Sequence, residues 1–136
     1  PGETNKSFDT LLDFVARVRF HNLGVFCFYP EQGTRAALLN DQIDRETKQK
    51  RQQEIMNLQA GISSEILSAY PGKSETILVD SPHPEWPTLY QGRTWFQALE
   101  IDGITYISGQ NIQPGDLVQA RIQEAHTYDL TALTRD

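Results

Sequence analysis

Between Ser7 and Arg19 the apolar residues Phe8, Leu11, Leu12, Val15 and Val18 recur at three- and four-residue steps. That spacing predicts an amphipathic helix with Thr4 or Ser7 as N-cap and a stop near Asn22. Leu23-Gly24-Val25-Phe26-Cys27-Phe28-Tyr29 is instead a continuous apolar run ended by Pro30. Continuous hydrophobicity over so short a length predicts a strand covered on both faces, as in a parallel sheet. After a loop at residues 31–40, a long helix is predicted from about Asp44 to Ala69, with Ile55, Leu58, Ile62, Ile66 and Tyr70 on one stripe. Its first half, Arg45 to Glu54, is almost wholly polar, so it must be exposed or meet a polar partner. Helix, strand, helix is the local pattern of an α/β fold. Pro71-Gly72-Lys73 stops the helix and divides residues 1–72 from residues 73–136.

Beyond that boundary the period changes. Residues 76–79, Thr94-Trp95-Phe96, residues 104–107, residues 117–122 and residues 128–133 are short and rich in β-branched and aromatic side chains. Turn residues separate them, at Pro82 to Pro87, Asp102-Gly103 and Pro114-Gly115-Asp116. Five short strands in such a length predict a small antiparallel barrel, whose closure hides the strand edges.

Charge sharpens this division. Residues 1–72 carry eight basic and nine acidic side chains, whereas residues 73–136 carry four basic and nine acidic ones, so most of the net charge of −6 belongs to the second half. An acidic surface repels phosphate and attracts basic partners, which makes nucleic acid the less favoured ligand. No apolar run is long enough to span a bilayer, so no membrane partner is expected. A single cysteine excludes an intramolecular disulfide and any cysteine-rich metal site supplied by this chain alone.

No complete active site is written in these residues. Dinucleotide, P-loop, HExxH and GxSxG patterns are all missing. His21, His83 and His126 lack ligand-like spacing and read as surface or capping residues. Cys27, inside the apolar run, reads as a small buried hydrophobe rather than a nucleophile. Lys48-Gln49-Lys50-Arg51, flanked by Glu46 and Glu54, reads as a solvated helix face, with nucleic-acid contact as the alternative. Arg93, Trp95, Phe96 and Tyr106 are either barrel core or a base-stacking surface.

Four pieces in order resemble the C-terminal portion of the radical-SAM methylthiotransferases. Pro1-Gly2-Glu3-Thr4 with Phe8 and Leu11-Leu12-Asp13-Phe14 is similar to the end of that family's GFPGET segment and its following helix. Gly24 to Tyr29 with Pro30-Glu31-Gln32-Gly33-Thr34 is similar to the last barrel strand and its P-E-x-G-T loop. Residues 51–63 resemble the helix leading out of that barrel, and the remainder resembles the appended TRAM barrel. One branch of the family modifies adenosine in transfer RNA, and its TRAM module binds RNA. The other methylthiolates an aspartate of small-subunit ribosomal protein twelve. Ala98-Leu99-Glu100-Ile101-Asp102-Gly103, ahead of a strand, resembles the A-P-E-I-D-G hallmark of this second branch and departs from it at Leu99.

The resemblance implies a fold class: an α/β fragment at 1–72, comprising the last strand and helices of a partial TIM barrel, followed by a five-stranded TRAM barrel at 73–136. It implies a cytoplasmic parent enzyme using S-adenosylmethionine and two 4Fe-4S clusters. With one cysteine, this chain alone is expected to hold no cluster and to be catalytically silent, with no catalytic residue and no metal ligand of its own. Gly2, Glu3, Val25 and Phe28 are the implied cofactor-binding residues. Arg93, Glu100, Asp102 and Asp116 are the residues expected to meet a basic ribosomal protein, with the three carboxylates exposed on turns. The apolar residues of the first half, without the rest of such a barrel, also predict its self-association.

Overall fold

The computed structural model describes residues 1–134, leaving Arg135 and Asp136, both used in the charge count, outside the described residues. The chain divides into two compact units, Pro1–Ile62 and the residues from Ser63 onward.

In the first unit, α1 spans Asn5–Val18. Thr4 is its N-cap, with the hydroxyl accepting the Ser7 N–H at 3.1 Å. Arg19 ends it in the left-handed region and returns its N–H to Val15 O. Phe8 and Val15 are its buried face, whereas Leu11 and Val18, expected on the same stripe, are exposed. Residues 19–44 contain one short 3-10 turn, Ala36–Leu38, and no strand. The expected buried strand at Leu23–Tyr29 is therefore not formed: Cys27 is exposed, and Phe26 is 91% exposed. A strand exists only through a paired neighbour, and no described residue offers this segment a ladder. Two of its carbonyls, Val25 O and Phe28 O, accept from side chains instead. The long helix α2, Arg45–Leu67, begins where the Asp44 carboxylate accepts the Thr47 N–H at 2.8 Å. Its buried positions in this unit are Ile55, Gln59 and Ile62, and the Gln59 amide donates to Phe20 O at 2.7 Å.

The second unit takes the last turn of α2 and five strands: β1 Ser74–Pro82, β2 Leu89–Arg93, β3 Thr105–Ser108, β4 Leu117–Ala125 and β5 Leu130–Thr134. They close into a barrel in the order β1-β2-β3-β5-β4. Alternation supplies the core: Ile77 and Val79, Ile107, Ala120 and Ile122, and Leu130 and Ala132 all point inward. Leu67, at the end of α2, and Tyr70, in the turn before β1, add to it.

Two expectations need correction. The barrel is not wholly antiparallel, because β3 and β5 pair in parallel, from Thr105 with Leu130 to Ser108 with Leu133. The β4–β5 hairpin folds back and places β5 between β4 and β3, which fixes that direction. The second strand is Leu89–Arg93 rather than residues 94–96. Gly92 explains the shift. A Cβ there would strike the Leu78 carbonyl and the Ile107 side chain, so only glycine lets β2 close against β1 at this point. Just beyond, Gln97 captures the Thr94 N–H and turns the chain out of the sheet.

Candidate functional site

A groove in each unit gathers residues assigned a binding role from the sequence. In the first unit it is built by α2. Arg51 Nη1 donates to Glu3 Oε2 at 2.7 Å and to the Glu3 carbonyl at 3.0 Å, while Nη2 donates to Asn5 Oδ1 at 2.9 Å. The guanidinium also sits 5.3 Å from the Phe8 ring centre. One turn away, Lys48 Nζ donates to Phe28 O at 3.1 Å, and the Gln52 amide donates to Val25 O at 2.7 Å. The polar first half of α2 thus has its polar partner: the backbone of residues 25–28 and the Glu3 segment. Lys48 and Arg51 are held by these contacts rather than presented as a free basic face.

Glu3, Val25 and Phe28 all line this groove, beside Phe26 and Cys27. Gly2 does not; it adopts φ +73° and donates its N–H to Asp41 O at 2.7 Å. Among the described residues no group of three or more His, Cys, Asp or Glu side chains is placed to hold a metal ion. The one thiol, Cys27, lies 3.4 Å from Gln52 Oε1.

The second groove lies on the barrel. Its lining includes Asp80, Arg93, Glu100 and Asp102. Asp80 is the extra residue of a bulge in β1, since Val79 faces Gly92 and Ser81 faces Gln91. A bulge re-aims the side chain it inserts, and Asp80 Oδ1 lies 3.6 Å from Arg93 Nη2. That separation is longer than a good hydrogen bond. Asp102 Oδ2 accepts the Ala98 N–H at 2.7 Å and so ties the turn from Ala98 to Asp102. Glu100 stands at the tip of that turn with φ +63° and is exposed.

The expectation of three solvent-facing carboxylates holds for Glu100 and not for the other two. Asp102 and Asp116 are half-buried, and Asp116 Oδ2 accepts the Gln113 N–H at 3.0 Å, closing its own turn. An Asp in a turn satisfies the backbone before it meets a partner. Asp116 also lies away from the groove that joins Arg93, Glu100 and Asp102. Sequence reasoning missed Asp80, because only the bulge brings it to Arg93. It missed Gln97 as well, a buried amide whose Oε1 accepts from Thr94 N, Thr94 Oγ1 and Thr105 Oγ1. His83 accepts the Glu85 N–H, stacks on Trp86 at 4.7 Å between ring centres and leans on Tyr106 of β3 at 5.8 Å.

The closed five-stranded barrel is a TRAM domain: residues 72–134 match the family model of that description. Over nearly its whole length the chain is also similar to ribosomal protein uS12 methylthiotransferases. It is 52% identical over 134 residues to the uS12 methylthiotransferase RimO of Oleidesulfovibrio alaskensis, covering 98% of this chain and 31% of that protein. The RimO proteins of Nitratidesulfovibrio vulgaris and Aquifex aeolicus are 50% and 37% identical, over 98% and 96% of this chain and 31% and 30% of their own lengths. The chain therefore spans about a third of the length of the curated relatives it matches. No helix among the described residues is long and apolar enough to cross a membrane.

Proposed function

We propose that this chain is part of an enzyme that methylthiolates an aspartate of ribosomal protein uS12, and that its TRAM barrel holds the protein substrate. The observation that carries this reading is the groove whose lining holds three carboxylates, Asp80, Glu100 and Asp102, against the one cation Arg93, with Asp80 3.6 Å from it. It opens on a half of the molecule with nine acidic and four basic side chains. Such a field steers a basic protein inward and disfavours a polyanion. Equilibrium binding of the chain to uS12 and to a transfer RNA, each at two salt concentrations, tests it. The expected result is uS12 binding that weakens as salt rises, with weaker transfer-RNA binding at both concentrations. Tighter binding of the RNA with a steep salt slope would favour the RNA module of the adenosine-modifying branch instead.

The first unit is read as part of the radical-SAM core of such an enzyme. Iron–sulfur clusters do not fit this chain, whose one thiol cannot supply the several thiolates a cluster needs. S-adenosylmethionine fits in part: Val25, Phe26 and Phe28 offer apolar surface to a nucleobase, whereas the Glu3 carboxylate is already engaged by Arg51. When bound, that cofactor supplies the methyl and radical chemistry of the family. Val25 and Phe28 would hold it, with Arg51 fixing Glu3 at the groove's edge. The chain alone is expected to acquire no stoichiometric cluster on anaerobic reconstitution, as read by iron and sulfide assay.

A further inference from the structure

We propose that the segment between β2 and β3, residues 94–104, is an apolar anchor by which the barrel grips its basic protein partner, with Trp95, Leu99 and Ile101 as the contacting side chains. This inference rests on the substrate-holding reading above and adds the surface that performs it.

Three large apolar side chains within seven residues face solvent here: Trp95 is 76% exposed, Leu99 52% and Ile101 83%. The barrel does not need them. Its core is closed by Ile77, Val79, Ile107, Ile122 and Leu130, each essentially fully buried. Connecting segments are ordinarily polar, and a cluster of exposed large apolar residues marks an interaction surface.

The segment is also held in place. At its base, Gln97 Oε1 gathers three buried donors from Thr94 and Thr105. At its tip, Asp102 Oδ2 ties back to Ala98 N, and the Ile101 and Asp102 N–H groups both donate to Ala98 O. Gly103 passes so close beneath the Tyr128 carbonyl that a Cβ would collide with it. Trp95 leans edge-on against Phe96, which packs on Tyr70 at 5.1 Å between ring centres. A surface fixed in advance loses little conformational entropy on binding, so its apolar area converts efficiently into affinity.

The chemistry of the occupant follows from charge. Leu99 and Ile101 flank Glu100, whose left-handed backbone holds it at the tip, and Asp80 lies in the adjoining groove. Asp80 is only loosely engaged, at 3.6 Å from Arg93. The exposed Glu100 between two apolar side chains, backed by the partly buried carboxylates of Asp80 and Asp102, suits a protein surface that offers apolar pockets among Lys and Arg. A nucleic-acid strand would meet the same carboxylates as repulsion.

The test compares the wild-type chain with Trp95→Ala/Ile101→Ala by titration against uS12 and against a transfer RNA, with thermal unfolding as the control for the barrel. Large aromatic anchors lose about tenfold or more in affinity on truncation. Expected is therefore at least that loss for uS12, an unchanged unfolding midpoint, and unchanged RNA binding. Should the double variant unfold, Ile101→Asp alone, at a side chain that touches no core, gives the same comparison. Wild-type binding that survives both variants within twofold would sink the anchor while leaving the substrate-holding reading intact. No wild-type binding to uS12 would sink both. Selective loss of RNA binding would assign the surface to RNA and overturn the proposal.

Discussion

The two units reach order by different means. The barrel buries ten apolar or aromatic residues in one cluster and pairs every strand with two neighbours. The first unit buries only Phe8, Val15, Ile55 and Ile62 among its apolar residues, while Phe14, Phe26, Tyr29, Leu38 and Leu39 face solvent. Its middle third is held by Lys48, Gln52 and Gln59 of α2 donating to backbone carbonyls, and its start by Arg51 donating to Glu3. Ladders and core are cooperative, because each contact supports the next. Side-chain straps are separable and partly open to water, so each contributes less. Stability should therefore be concentrated after residue 63, and recognition chemistry in the first unit should sit on the less protected backbone.

The sharpest way to break this contrast is to open the barrel. Gly92→Ala places a methyl against the Leu78 carbonyl and Ile107, neither of which can withdraw without parting β1 from β2. Overpacking against backbone costs about 3 kcal/mol. Circular dichroism on heating should show loss of the β transition with α1 largely unaffected. An unchanged midpoint would mean the barrel is looser than its core suggests.

Next in size is the strap centred on Arg51. Arg51→Ala removes two contacts to Glu3, one to Asn5 and the stack on Phe8. Contacts of this kind, open to water on the Glu3 side, are worth up to about 1 kcal/mol each. Hydrogen exchange should accelerate in residues 2–8 while the barrel amides keep their protection. Even in the unsubstituted chain, residues 23–31 should exchange far faster than β1 and β4. Full protection of Val25 to Phe28 in a dilute monomer would contradict the division. Concentration-dependent sedimentation would further report self-association through Phe26, Tyr29 and Leu38, all exposed.

The same contrast explains what could be read from sequence. The barrel was legible because alternation marks a strand locally: Ile77 with Val79, and Ala120 with Ile122, announce their faces. The parallel β3–β5 pair was not, since strand direction depends on where β4 delivers the chain. Leu23–Tyr29 misled for a physical reason. An apolar run states an appetite for burial, and only a partner decides whether that becomes a strand. Asp80 was invisible because its position depends on a bulge, and Asp102 and Asp116 looked exposed because turn composition does not reveal which carboxylates cap their own turns. Glu3, Val25 and Phe28, though not Gly2, line one groove, and the side chains that assemble it come from a helix face that reads as solvated.

The smallest expected effects separate the units by pH. Asp44 begins α2, and the hydrogen bond from the Thr47 hydroxyl, reinforced by its backbone N–H, holds the carboxyl below its ordinary value of 3.8. A depressed carboxyl contributes stability that is present above the unfolded value and is lost as pH falls through the folded one. Helix signal from the first unit should therefore decline below about pH 4, and Asp44→Asn, which can still accept the Thr47 N–H, should flatten that decline. Tyr70 behaves in the opposite sense. Burial against the barrel core, with Glu75 nearby, raises its hydroxyl above the ordinary 10.0. A raised group contributes stability that is complete below the unfolded value and disappears as pH rises through the folded one. Tyr70→Phe keeps the contact with Phe96 and removes the proton, so the alkaline loss of barrel stability above about pH 10 should shrink. Equal alkaline slopes for wild type and Tyr70→Phe would show that the hydroxyl reaches water in the folded barrel. The turn before β1 would then be less firmly seated on the core than its 8% exposure indicates.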